Sequence, residues 1–193
     1  GDRIGAAATT SHLGTILRNR GDFANAEKHY HEAIETTAQT GRPIGKFLQQ
    51  LAELHRRTGA FQKALELVES ALSAHRVQGA VGRQAAAYAL LGSICLSAGR
   101  YTDADKAFDN ALERNRRSGH RPAQALNLLF KAEVACEINQ VNRAAAMLDA
   151  AQAIIQDAGD IRRAPRLNAL RARVCILRQE PGAEAHFTLA IQG

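Results

Sequence analysis

The chain has 193 residues, a formal net charge of +6 and a pI near 9.6; 46% of its residues are hydrophobic, 5% are aromatic, and Trp is absent. That apolar share is ordinary for a globular chain, the four Pro and scarcity of β-branched runs disfavour a β-rich fold, and no apolar run approaches the roughly 20 residues of a membrane span. Three widely spaced cysteines (Cys95, Cys136 and Cys175) argue against a disulfide framework, and an Arg-rich positive charge is by itself a weak warrant for a nucleic-acid partner.

Glycines punctuate the chain at a fixed interval. Gly1, Gly41, Gly79, Gly119 and Gly159 stand 40, 38, 40 and 40 residues apart. Gly21, Gly59 and Gly99 form a second series at 38 and 40, which Asn139 continues at another 40. Gly and Asn most readily take the left-handed conformation that ends a helix. Two interleaved stop signals per unit therefore predict two helices per unit.

The first unit predicts helices over 6–20 and 23–39. Leu13, Gly14 and Leu17 precede Gly21; Ala26, Tyr30, Ala33 and Ile34 follow it at helical spacing. The second predicts 43–58 and 61–78, with Leu48, Leu51, Ala52 and His55, then Ala64, Val68, Ala71 and Leu72. The third predicts 83–98 and 101–117, with Tyr88, Leu91, Gly92 and Cys95, then Ala104, Phe108, Ala111 and Leu112. The fourth predicts 122–138 and 141–157, with Leu128, Ala132 and Ala135, then Ala144, Leu148 and Ala151. The fifth predicts 163–178 and 182–191, with its turn at Pro181-Gly182 one residue shorter, followed by Ala183, Phe187, Ala190 and Ile191. A small residue late in each first helix (Gly14, Ala52, Gly92, Ala132, Ala172) and an Ala early in each second helix let the two cross closely. One hairpin cannot bury its own apolar face; stacking several makes a continuous core.

The strings Leu13-Gly14…Gly21-Asp22-Phe23…Ala26…Tyr30…Ala33 and Leu91-Gly92…Gly99-Arg100-Tyr101…Ala104…Phe108…Ala111 resemble the tetratricopeptide repeat. The period near 40 departs from that family's 34 residues, and Gly closes the unit in place of Pro. The chain thus resembles the long-period variant of kinesin-light-chain-like arrays and bacterial regulators. The resemblance implies an all-α fold, an α-solenoid with the right-handed superhelix of about five antiparallel helical hairpins. It implies one repeat domain over 1–193, with repeats near 6–40, 43–79, 83–119, 122–159 and 163–193. The opening Gly1-Asp2-Arg3-Ile4-Gly5 resembles an inter-repeat linker, so the chain is expected to be a segment of a larger protein.

In such arrays the first helix of each hairpin lines an inner groove. Its facing positions correspond here to Ser11, Thr15, Arg18 and Asn19, then Lys46, Gln49, Glu53, Arg56 and Arg57. They continue with Ala89, Ser93, Leu96 and Ser97, then Leu126, Leu129, Glu133 and Glu137, and last Arg166, Ala169, Arg173 and Ile176. The expected groove runs from polar and basic to mixed apolar and acidic. The family's clamp for a chaperone's acidic C-terminal tail needs Lys and Asn where this chain has Ser11, Thr15, Gln49 and Glu53. No binding of that tail is expected.

A second surface is the rim of inter-repeat turns, with Arg76 and Arg83, then Arg114, Arg116, Arg117 and Arg121, then Arg162, Arg163 and Arg166. Cations near helix C-termini offset the helix dipole, and the same stripe would suit an acidic partner or nucleic acid. Aromatics are not interleaved with these Arg residues, which disfavours base stacking. The seven His include no His-x-x-x-His pair, and His55 falls in an inter-helix slot. Cys95 and Cys175 share one repeat position, as small packing residues. No phosphate loop, dinucleotide fingerprint or nucleophile elbow is present.

The expectation is a non-enzymatic protein- or peptide-binding scaffold with no catalytic residue, cofactor or metal. Its expected setting is the cytoplasm, without a membrane anchor, as the sensory or assembly segment of a larger signalling or transcription regulator. The alternatives are self-association through exposed ends of the array and acidic-partner binding at the Arg rim. A small-molecule pocket inside the curve is a more distant one.

Overall fold

The computed structural model describes residues 2–192. Among the described residues there are ten α-helices and no strand. They fall into two compact units, Gly1–Ala98 and Gly99–Gly193. The first holds α1 (Arg3–Asn19), α2 (Phe23–Ala38), α3 (Gly45–Arg57), α4 (Phe61–Val77) and α5 (Val81–Ser97). The second holds α6 (Tyr101–Arg117), α7 (Arg121–Glu137), α8 (Val141–Asp157), α9 (Ala164–Arg178) and α10 (Ala183–Gln192), with a 3-10 turn at Ile161–Arg163. In the first unit α1 packs on α2, α3 on α4, and α5 on both α3 and α4. In the second, α6 packs on α7, α7 on α8, and α9 on α7, α8 and α10. The fold is an all-α solenoid of antiparallel helical hairpins.

Helix ends follow local chemistry. The backbone amide of Asp22 reaches the Leu17 carbonyl at 3.0 Å across Gly21, whose φ is +85°. The same six-to-one closure recurs from Ala60 to His55 at 2.8 Å and from Gln140 to Ala135 at 2.7 Å, the latter across Asn139 at φ +56°. The fifth closure lies earlier than Pro181-Gly182: α9 ends at Gln179, left-handed at φ +57°, and Glu180 donates to the Cys175 carbonyl at 2.9 Å. Arg3–Gly5 also differ from the expected linker. They are the first turn of α1, because Asp2 Oδ1 accepts from the amides of Ile4 and Gly5 at 3.2 and 3.0 Å.

The core sits where the small residues are. A Cβ on Gly14 would lie 3.0 Å from Tyr30 Cε1 and 3.2 Å from the Ala26 carbonyl oxygen, so α1 and α2 could not approach this closely with a larger residue. Ala26, Ala64, Ala104 and Ala144, early in each second helix, are all fully buried. One turn later Tyr30, Val68, Phe108 and Leu148 fill the space between hairpins. Each such side chain contributes about 1.5–3 kcal/mol by its burial. None of the described helices is long and apolar enough to cross a membrane.

Candidate partner-binding groove

Stacking sets helix α3 beside α1, and a polar network holds them. Ser11 is fully buried and its hydroxyl donates to Gln50 Oε1. The Gln50 amide donates to Thr15 Oγ1 at 3.3 Å, and Thr15 Oγ1 lies 3.1 Å from the Tyr30 hydroxyl. Ser11 therefore staples helices together and presents nothing to a ligand, contrary to its expected groove position. Gln49 is also engaged, with Oε1 at 2.9 Å from Nε2 of the buried His75.

The cations of this unit divide into two kinds. Arg56 donates through Nε and Nη2 to Glu53 at 2.8 and 2.9 Å and through Nη1 to Ser97 Oγ at 3.0 Å. The bond to Glu53 holds its guanidinium above the ordinary arginine value against the cost of burial. Arg57 has no carboxylate; it donates to Asn19 Oδ1 at 3.3 Å and sits 6.0 Å from the centre of the Phe23 ring. Arg18 reaches the same Asn19 oxygen only at 3.5 Å, and its buried Nε has no acceptor. Lys46 is exposed and takes part in no ion pair among the described residues. Ser93 bonds back to the Ala89 carbonyl at 3.0 Å, and Leu96 is half-buried.

In the second unit the expected apolar and acidic surface is replaced by ion pairs. Leu129 is fully buried, a core residue rather than a groove contact; Leu126 is half-buried. Glu133 pairs with Arg166 of the next hairpin, and the guanidinium lies 4.0 Å over the Phe130 ring. Phe130 in turn stacks on Phe108, with centroids 5.0 Å apart and planes at 4°. Glu137 accepts from Arg173 at 2.9 Å, and that bond raises the Arg173 pKa against a smaller opposing effect of burial. Neither carboxylate is left unpaired. Ala169 is half-buried and Ile176 is exposed.

The rim is neutralised only in part, at Arg121, Arg162, Arg163 and Arg166. In the first unit Arg76 donates to the Tyr88 hydroxyl at 2.8 Å and Arg83 to Gln78 Oε1 at 3.2 Å. In the second, Arg121 pairs with Asp157 at 2.8 Å. Arg162 and Arg163 both pair with Asp160, at 3.1 and 2.8 Å. Burial opposes ionisation of Asp160, but the two Arg residues outweigh it and its pKa falls below the usual carboxylate range. Arg114 bonds the Asn110 carbonyl and amide oxygens at 2.9 and 3.1 Å. Arg116 and Arg117 are exposed, with no ion pair among the described residues. Within the second unit the expected basic surface is interrupted where Arg121, Arg162, Arg163 and Arg166 meet carboxylates.

Two features escaped the sequence. On the outer side of the first unit a cleft of about 310 Å³ lies between α2 and α4, lined by Glu27, His31, His55, Lys63 and Glu66. His55 Nε2 and His31 Nε2 stand 3.6 and 3.9 Å from the same Glu27 oxygen, and burial pushes the His55 pKa down. No group of three His, Cys, Asp or Glu among the described residues is arranged to hold a metal ion. In the second unit Lys131 is buried against Asp105 at 3.0 Å and against Asp109, while Arg143 holds Asp105 at 2.6 Å. Neither cluster has a local sequence signature, since its members come from separate helices. Cys95 and Cys136 are buried and Cys175 is half-buried; burial pushes the Cys136 thiol up.

Helical hairpins stacked through alanines and closed by left-handed turns at 38- to 40-residue intervals define a helical-repeat scaffold. Two models described as tetratricopeptide repeat match the sequence, over residues 5–76 and 85–118, which together take in more than half of it. The chain belongs to the tetratricopeptide repeat family. Its fold is similar to that of BtubC (BKLC) from P. vanneervenii, at 24% identity and a TM-score of 0.79, over 98% of this chain and 77% of that one. It is similar to the nearly identical repeats of a putative kinesin light chain from Podosopora anserina, at 15% identity and 0.77, over 100% and 96%. It is also similar to a Rap protein complexed with competence and sporulation factor, at 16% identity and 0.81, over 95% of this chain but only 52% of that one. No curated protein matches the chain in sequence.

Proposed function

We propose that the inner line of α1, α3 and α5 binds an extended or helical protein segment carrying carboxylates. The groove residues would be Arg18, Asn19, Lys46 and Arg57, with Thr15, Ser93 and Leu96 beside them. One observation carries this reading. Glu53, Glu133 and Glu137 each have an Arg partner, whereas Arg18, Lys46 and Arg57 have no carboxylate partner among the described residues. Lys46 and Arg57 are solvent-exposed, and exposed cations favour an anionic ligand and speed its encounter. The Rap structure with its bound factor supports ligand binding by a fold of this kind. In this reading the chain is a non-catalytic scaffold in the cytoplasm, serving as the sensory or assembly segment of a larger regulator.

The test is anisotropy with an array of labelled acidic peptides and their amide counterparts. Lys46→Glu combined with Arg57→Glu is expected to weaken the best acidic peptide at least tenfold, about 1.4 kcal/mol. Unchanged affinity would move the site to the outer face.

A further inference from the structure

In the first unit two guanidinium groups converge on one neutral oxygen. Arg18 on α1 and Arg57 on α3 both donate to Asn19 Oδ1, at 3.5 and 3.3 Å, and neither meets a carboxylate among the described residues. The buried Nε of Arg18 has no acceptor, and Arg57 sits 6.0 Å over the Phe23 ring. Like charges brought together this way repel, and one amide oxygen offsets little of that repulsion.

The next hairpin shows what the first one lacks. Arg56 stands 38 residues after Arg18, the interval that also separates Gly21 from Gly59, and it donates to both oxygens of Glu53 at 2.8 and 2.9 Å. On α1 the position of Glu53 is held by Thr15. The Thr15 hydroxyl is committed to its surroundings: it donates to the Ser11 carbonyl at 3.1 Å, accepts from Gln50 at 3.3 Å and lies 3.1 Å from the Tyr30 hydroxyl. So α1 supplies no anion to Arg18, and Glu53, engaged at both oxygens by Arg56, supplies none to Arg57. Where Asn19 stands in the first hairpin, the fourth has Glu137, which accepts from Arg173 of the following hairpin at 2.9 Å.

We propose that Arg18 and Arg57, with Asn19 between them, bind the phosphoryl group of a phosphoserine or phosphothreonine in the partner segment. This assignment rests on the groove reading above and names the anion that the groove receives. A carboxylate carries one charge and two oxygens, enough for the single guanidinium that Glu53 serves. A phosphate monoester carries a charge of about −1.5 to −2 at pH 7 and three acceptor oxygens, enough for two guanidinium groups at once. Asn19 is exposed, and its amide nitrogen adds a neutral donor. Lys46 lies about three turns before Arg57 on the same face of α3, roughly 16 Å along the helix axis. An extended segment covers that distance in about five residues, so an acidic side chain that far from the phosphate would meet Lys46.

The test is nuclear magnetic resonance of the arginine Nε–H signals during titration with N-acetyl-O-phosphoserine methylamide and, in parallel, with N-acetyl-glutamate methylamide. The Arg18 and Arg57 signals, assigned with Arg18→Gln and Arg57→Gln, should shift and should saturate at an about tenfold lower concentration of the phosphorylated probe. Each of these variants should weaken that probe about fivefold. Asn19→Glu, the residue at the equivalent Glu137, should abolish its binding by filling the site from within. Equal affinity for the two probes, an affinity unmoved in both arginine variants, or equal shifts at Arg116 and Arg117 would each overturn the proposal. Acidic peptides that bind while the phosphorylated probe fails would overturn it and leave the groove reading standing. A probe that binds while no peptide does would overturn the groove reading, and with it the placing of the phosphate on a protein segment.

Discussion

Asn127 on α7 is 1% exposed, and neither its amide nitrogen nor its amide oxygen has a hydrogen-bond partner. The same repeat position holds Phe47, Ala87 and Leu167, all buried. Leaving a buried polar group unpaired costs about 1–3 kcal/mol, and an apolar residue of similar shape removes that cost. Leucine has the branched shape and heavy-atom count of asparagine, and the equivalent position holds Leu167, which limits the penalty for its larger volume. Asn127→Leu is therefore expected to stabilise the fold by about 2 kcal/mol. For a chain of this length each kcal/mol shifts the midpoint by roughly 2–4 °C, so thermal unfolding followed by circular dichroism should move up by about 4–8 °C. A midpoint that is unchanged or lower would show that the amide has a partner, such as an internal water, and would refute the reasoning.

The buried His75 should make the first unit acid-sensitive. Its Nε2 is bonded to Gln49 and its buried Nδ1 has no partner; burial first, and then Arg83, lowers its pKa below 6.5. Its stabilising contribution is complete above pH 6.5 and is lost as pH falls toward the lower folded value. His75→Asn, the residue at the equivalent Asn115, should flatten a urea-melt pH profile in that window. Gly45→Ala should destabilise by about 1–3 kcal/mol in chemical denaturation, since the new Cβ would meet His75 Cε1 at 2.6 Å. Lys131→Leu, matching Leu51, should cost about 1–3 kcal/mol, because it removes one partner and leaves the part-buried Asp105 with Arg143 alone. Asp105→Ala should cost about 2–3 kcal/mol in the same assay, since it leaves the Lys131 ammonium with Asp109 alone.

The hairpin order was legible because each helix end and each close crossing demands a residue type that sequence displays. Gly21, Gly59 and Asn139 mark left-handed turns, and Gly14 marks a crossing too tight for a Cβ. Gln179 was missed for the same reason: its left-handed φ of +57° belongs to no type that favours it, and only the 40-residue spacing from Asn139 could have pointed there. The site was less legible. The family pattern places Glu133, Glu137, Arg166 and Arg173 on inner positions, yet their charges cancel between hairpins, at separations of 33 and 36 residues. Such pairing depends on stacking register, not on the spacing of residues along one helix. Leu129 shows the converse, since its hydrophobic side chain turns into the core.

The central claim is that the unpaired cations of the first unit, not the Arg residues of the turns, receive the partner. Isothermal titration calorimetry can decide it, with the best acidic peptide against Lys46→Glu/Arg57→Glu and, separately, Arg116→Glu/Arg117→Glu. Both pairs are exposed and reverse the same charge. The account expects at least a tenfold loss of affinity for the first pair and less than a twofold change for the second. The opposite ranking would contradict it and move recognition to the rim.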